Sequence, residues 1–107
     1  MLFAMIGTLT QESLHAFVEN PIDRFGPASQ SVEAVGGKLE QMYQTPEGVT
    51  FLIVDAPDAE TMTAISVSVQ SINRLRDIRI HRLQTPAQFA EGCRRAQSIR
   101  SVRQFPS

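Results

Sequence analysis

Leu2 to Leu9 reads LFAMIGTL, and the stretch is apolar on both parities of an extended chain: Phe3, Met5 and Leu9 fall on one side, Leu2, Ala4 and Ile6 on the other. A strand written this way is buried on both faces, so it belongs in the middle of a sheet. Val49 to Asp55 (VTFLIVD) has the same two-sided character and predicts a second central strand. Two further strand candidates differ from these. Lys38 to Gln44 (KLEQMYQ) is half polar, as an edge strand can be. Asp77 to Leu83 (DIRIHRL) alternates strictly, with Ile78 and Ile80 on one face and Arg79, His81 and Leu83 on the other.

Helical signals fill the gaps. Thr10 is placed to N-cap a short helix with Glu12 in its first turn and Leu14, Phe17 and Val18 at helical spacing, and Asn20-Pro21 stops it. Asn20-Pro21-Ile22-Asp23 reads as a fresh cap with proline at the first helical position. Pro27 predicts a break at Gly26 and a restart at Pro27. Ala28, Val32 and Val35 form a narrow apolar stripe there, ended by Gly36-Gly37, one of which is expected in the left-handed conformation. Thr45-Pro46-Glu47-Gly48 supplies a hairpin turn. Ala56-Pro57-Asp58 ends the second central strand and caps a helix whose Met62, Ile65 and Val69 face inward. Thr85-Pro86-Ala87-Gln88 is a capping box opening a last helix with Phe89, Cys93 and Ala96 as its inner face. Residues 1–96 then form a single domain, and residues 97–107 read as a frayed basic tail.

The order of these elements is that of an α+β, ferredoxin-like βαββαβ domain with a broken first helix and an extra C-terminal helix. Right-handed crossovers put both helical connections on one face of a four-stranded antiparallel sheet, with the two-sided strands in the middle. Helices cover one face, yet the central strands carry apolar side chains for two. A bare second face would expose an apolar patch of several hundred square ångströms, about the upper limit for a monomer. The expectation is a homodimer packed sheet to sheet, a dimeric α+β barrel.

With 107 residues, 42% of them hydrophobic, the chain has the size of one ordinary domain. Its ten basic and eleven acidic residues give a net charge of -1, which conceals a strong asymmetry. Positions 1–70 hold only Arg24 and Lys38 against nine acidic residues, a net -7, whereas positions 71–107 hold eight arginines against Asp77 and Glu91, a net +6. Such polarity fits an anionic partner or two self-complementary surfaces. If the fourth strand and terminal helix lie at a subunit boundary, each protomer would turn arginines toward acidic surface on its mate. No apolar run approaches the roughly 18–20 residues of a membrane span, and no basic residue precedes Arg24, so neither membrane insertion nor export is expected. The single cysteine, Cys93, excludes an internal disulfide and a Cys-based zinc site and fits a reducing cytoplasm.

Several segments together resemble the GYD domain family of small bacterial proteins. They are Asn20-Pro21-Ile22-Asp23-Arg24, Gly36-Gly37-Lys38, Tyr43, Val54-Asp55-Ala56-Pro57-Asp58 and Thr85-Pro86. The resemblance implies the same ferredoxin-like fold and brings no activity with it. The namesake Gly-Tyr-Asp falls at Gly48-Val49-Thr50, where only the glycine is kept.

Chemistry is sparse. The two histidines lie in different elements, no His or Cys pair has metal-ligand spacing, and Gly36-Gly37 leads into a strand rather than a phosphate-binding helix. No metal or cofactor is therefore expected. The candidate site is polar and sits on the face that a dimer would enclose. Arg79 and His81 share one parity of the fourth strand, and Tyr43 joins them if Met42 faces the core; the parity of that strand is ambiguous. His, Arg and Tyr around a semi-enclosed cavity suit a small anionic or carbonyl-bearing ligand, with His as acid or base and Arg on an oxyanion. The bland reading is that Arg79 guards an edge strand and His81 is an interface residue. His15 reads as a helix-surface residue, Cys93 as inert packing, and Met1, Met5, Met42 and Met62 as core filler.

Nucleic acid is disfavoured. Phe3 and Phe51 lie on the central strands, but Glu47-Gly48-Val49 replaces the basic-glycine-aromatic start of the RNA-binding version of this topology. Three functional readings follow: a dimeric binding or regulatory module, a small cofactor-independent enzyme of monooxygenase or isomerase type using His81 and Arg79, and an arginine-mediated interaction protein.

Overall fold

The computed structural model describes residues 1–103. Its elements run β1 (Leu2–Leu9), α1 (Gln11–Glu19), α2 (Phe25–Glu33), β2 (Lys38–Gln44), β3 (Val49–Asp55), α3 (Ala59–Ser71), β4 (Leu75–Leu83) and α4 (Pro86–Arg103). The strands form one antiparallel sheet in the order β2-β3-β1-β4, so the two strands with apolar side chains on both parities are the central ones, as their pattern requires. The fold is the α+β, ferredoxin-like arrangement.

One face of the sheet carries the core. Phe3 and Met5 of β1, Leu52 and Val54 of β3 and Leu39 of β2 pack with Val32 of α2 and with Met62 and Ile65 of α3. Met5 and Val54 are fully enclosed. Both crossover connections therefore lie on this face.

Two irregularities decide where side chains point. In β2, Leu39 pairs with Val54 but Gln41 pairs with Ile53, so Glu40 is an extra residue. This bulge lets Leu39 and Met42, of opposite parity, both face the helices, which is why the alternation of KLEQMYQ is unreadable from sequence. Between β1 and β4, Ile6 pairs with Arg79 and Thr8 with Arg76, leaving Asp77 and Ile78 opposite Gly7. Asp77 takes the positive φ of 54° that the bulge demands. Gly7 makes the crossing tight: a Cβ there would stand 3.2 Å from Leu75 Cβ and 3.3 Å from Ile78 Cγ1.

The caps form as their sequences suggest. Thr10 accepts from the Ser13 amide at 3.1 Å, Asp58 accepts from the Thr61 amide at 2.9 Å, and Thr85 and Gln88 bond reciprocally at 3.1 and 2.8 Å. Gly36 closes α2 with φ +86°, and Gly48 holds the hairpin with φ +87°.

Other local expectations are corrected. Residues Asn20 to Arg24 are not helical, and α2 begins at Phe25 instead of restarting at Pro27. Asp23 accepts from the Phe25 amide at 2.9 Å, and Pro27 sits in the first helical turn, where no intrahelical hydrogen bond needs its missing N–H. In α1 the buried residue is Ser13, while Leu14 and Val18 are exposed and Phe17 is half-buried. The Ser13 hydroxyl, donating to the Arg74 carbonyl at 2.9 Å, fixes which side of the helix faces inward. Val35 is exposed beyond the end of α2, and Met1 is exposed rather than core.

The largest departure is α4. Phe89, Cys93 and Ala96 do not pack: every described residue of this helix is exposed, and Cys93 is a free, exposed thiol rather than core filler. A stripe of three modest residues interrupted by Gly92 and flanked by arginines has little area to bury. Of the stretch read as a frayed tail, Gln97 to Arg103 continue α4, and residues 104–107 lie outside the described residues.

Candidate functional site

The face of the sheet opposite the helices is assembled row by row from the strand register. One row runs Tyr43, Phe51, Ile6, Arg79 across β2, β3, β1 and β4. The next runs Gln41, Ile53, Ala4, His81, and the third Lys38, Asp55, Leu2, Leu83. Because Met42 packs against the core, Tyr43 belongs to this open face, which resolves the parity left ambiguous by the sequence.

In the first two rows the pattern is apolar at the centre and polar at both edges. Ile6, Phe51 and Ile53 are only half-buried, although they occupy the middle of the sheet, and Tyr43 at the rim is 62% exposed. An exposed β2 edge residue opposite an exposed β4 edge residue frames an apolar strip two strands wide.

Within one chain the candidate residues do not converge. Arg79 and His81 are neighbours at i and i+2 on β4, both exposed. Tyr43 stands at the other edge, three strand spacings or about 14 Å away. Among the described residues neither Arg79 nor His81 has an acidic partner. The pair can therefore offer an imidazole and an unpaired guanidinium to a ligand on this face, while Tyr43 could meet such a ligand only across the apolar strip.

The remaining candidates are peripheral. His15 lies on the surface of α1 with Nε2 3.5 Å from Glu19 Oε1. Part of the basic excess is matched locally: Arg76 pairs with Asp77 at 2.6 Å, and Arg94 and Arg95 reach Glu91 at 2.9 and 3.6 Å. Among the described residues no group of three or more His, Cys, Asp or Glu is placed to hold a metal ion. No helix among them is long and apolar enough to cross a membrane.

Sequence reasoning passed over one residue that the fold singles out. Arg24, in the segment between α1 and α2, stacks its guanidinium 5.0 Å from the centroid of the Phe17 ring. Its Nε is buried and has no hydrogen-bond partner among the described residues. The available signal was charge: Arg24 is one of only two basic residues in the first seventy positions.

The sequence profile of the GYD domain matches residues 3–92, which spans the sheet, α1 to α3 and the start of α4. Among curated proteins, none matches the chain.

Proposed function

The chain belongs to the GYD domain family, and on that premise we propose that it works as a homodimeric binding or regulatory module, with the open sheet faces of two copies packed together around a small anionic or carbonyl-bearing ligand. The observation that carries this reading is the row Tyr43–Phe51–Ile6–Arg79. An apolar centre with a polar rim is the anatomy of a protein interface, and half-buried Ile6, Phe51 and Ile53 gain by losing the rest of their water. A two-fold axis through the strip would bring a second set of edge residues over the first, so that Arg79, His81 and Tyr43 line the space between the sheets. Arg79 would hold an oxyanion, and the His81 imidazole would hydrogen-bond the ligand beside it. The protein would be cytoplasmic.

The exposed α4 adds an electrostatic part. Arg100 has no acidic partner among the described residues, and acidic side chains are scattered over the surface of residues 1–70. Arginines of one copy facing acids of the other would account for the charge polarity without a nucleic acid. The same arginines could instead serve a different acidic protein, the third reading drawn from the sequence.

Light scattering at micromolar concentration tests the assembly, and a monomer at all concentrations would end the proposal. If the dimer is found, a thermal-shift screen of small carboxylates and carbonyl compounds on the native protein and on Arg79→Ala and His81→Ala tests the cavity. Stabilisation lost in both variants is expected; stabilisation indifferent to both would remove the site. A small cofactor-independent enzyme is the second reading, favoured by the unpaired imidazole beside a guanidinium. Turnover of a bound ligand that His81→Ala abolishes without releasing the ligand would select it.

A further inference from the structure

A groove opens on the other side of the sheet, between α2 and α3, with Ser31, Ala64 and Ser68 exposed along it. It has a volume of about 250 Å³ and is bordered by α2, α3 and the helix-facing side of β1, β2 and β3. The sequence explains why it exists. Facing the groove are Ala28 and Ser31 of α2 and Ala64 and Ser68 of α3, small side chains that leave open the space larger ones would close. Its floor is made of core side chains, Leu52, Ile65 and Leu75 among them.

Its polar border is one-sided. Arg24 and Arg74 both line it, and neither an aspartate nor a glutamate does. Thr50 and Gln44 complete the border, with the Gln44 amide donating to the Thr50 hydroxyl at 3.3 Å. Arg24 is the informative residue. Its Nε is removed from solvent and donates to nothing, although a buried donor without an acceptor is destabilising. The Phe17 ring holds the guanidinium in place from one side. An apolar groove with two guanidinium groups and no carboxylate on its border carries an unbalanced positive charge.

We propose that this groove binds a small amphipathic anion of about ten non-hydrogen atoms, an apolar body ending in one carboxylate or equivalent oxyanion. The size follows from scale: an apolar cavity of about 150 Å³ takes benzene, so the present one takes a body somewhat less than twice as large. The oxyanion accepts from the terminal guanidinium nitrogens of Arg24 and is attracted by Arg74, while the apolar body fills the groove between α2 and α3. The site is independent of the open sheet face and stands whether or not that face dimerises.

Octanoate has the right dimensions, and octan-1-ol is its uncharged counterpart. Octanoate is expected to bind the full chain with a Kd of about 1 mM or tighter. It should shift the methyl resonances of Leu52, Ile65 and Val69 and leave those of Ile6 and Ile53 on the open face unmoved. Arg24→Gln should weaken octanoate about tenfold or more and octanol hardly at all, since a charge-assisted hydrogen bond is lost. Arg74→Gln should act in the same direction and guards against misfolding of the first variant. Ala28→Leu, which fills the cavity, should abolish binding of both compounds while raising the melting temperature. Shifts confined to Ile6 and Ile53, equal binding of acid and alcohol, or octanoate binding undiminished by Ala28→Leu would each overturn the proposal.

Discussion

Tyr43 and Arg79 stand at the two ends of a single cross-strand row, separated by Phe51 and Ile6 on the open face of the sheet. The relationship depends on the bulge at Glu40, which turns Tyr43 to the same side as Arg79 while Leu39 and Met42 both keep to the core. Without that extra residue Leu39 and Tyr43, which have the same parity, would fall on one face of the sheet.

The row makes Phe51 a test of assembly that spares the fold, because its side chain points away from the core. Phe51→Glu is expected to give a folded monomer by light scattering and circular dichroism where the native chain gives a dimer, since a carboxylate buried in an apolar contact is costly. Met5→Ala, on the opposite face of β1 and fully enclosed, should instead lower stability by about 2–5 kcal/mol in a urea titration, the range for a large core side chain truncated to alanine. A Phe51→Glu protein that keeps the native mass would rule the open face out as the interface.

Two glycines should respond to alanine with opposite signs. Gly48 holds the β2–β3 turn at φ +87°, and Leu9 Cβ would lie 3.5 Å from an added methyl, an ordinary contact. Conformation alone therefore sets the cost of Gly48→Ala, about 1–2 kcal/mol. Gly26 lies in the first turn of α2 with nothing within 4 Å of an added Cβ, and its φ is not positive. Gly26→Ala should stabilise by about 0.4–1 kcal/mol through the unfolded chain. Chemical denaturation of the two variants in parallel checks the pair.

Thr10 ties the start of α1 to the segment leading into β4. Its hydroxyl donates to the Asn73 carbonyl at 2.6 Å and accepts from the Ser13 amide at 3.1 Å, and the residue is buried. Thr10→Val keeps the shape but removes both bonds, so a loss of about 1–3 kcal/mol is expected, combining a missing cap with a stranded carbonyl. Thr10→Ser should recover most of it. Equal loss in both variants would show that packing of the methyl group, rather than the hydroxyl, is what matters.

The sheet was legible because two-sided apolar strands have one stable place, the middle, and because Thr10, Asp58 and Thr85 are caps whose hydrogen bonds are local. A left-handed residue within Gly36-Gly37 and the hairpin turn over Thr45 to Gly48 were legible for the same local reason, though not which glycine of the Gly36-Gly37 pair takes the positive φ. What could not be read depends on partners distant in sequence. Glu40 is extruded only because Leu39 and Met42 must both meet the helices. Ser13 is buried because its hydroxyl finds the Arg74 carbonyl, and the hydrophobic spacing of Leu14, Phe17 and Val18 pointed elsewhere. The apolar stripe of α4 points to burial that its spacing alone does not secure, since Phe89, Cys93 and Ala96 are all exposed. Arg79 and His81 could be put on one face by alternation alone, but their distance from Tyr43 requires the strand order, and the place of Arg24 beside Phe17 requires the whole helical layer.

Asp58 supplies a pH test of one of these local caps. The Thr61 hydroxyl donates to its carboxylate at 2.7 Å and the Thr61 amide at 2.9 Å, and these two bonds, the side-chain one foremost, hold its pKa below the ordinary carboxylate value. The folded chain thus binds the proton less readily than the unfolded chain does. The cap's contribution is complete above the unfolded carboxylate pKa of about 3.9 and is lost as pH falls below it through the lower folded-state value. Asp58→Asn still caps the helix but does not titrate. At pH 6 the native chain should melt at the higher temperature, and between about pH 4 and pH 2 its advantage over Asp58→Asn should shrink as the carboxylate is protonated. Melting temperatures by circular dichroism on both proteins measure this difference, and a gap that stays constant across that range would show that the charge on Asp58 takes no part in the cap.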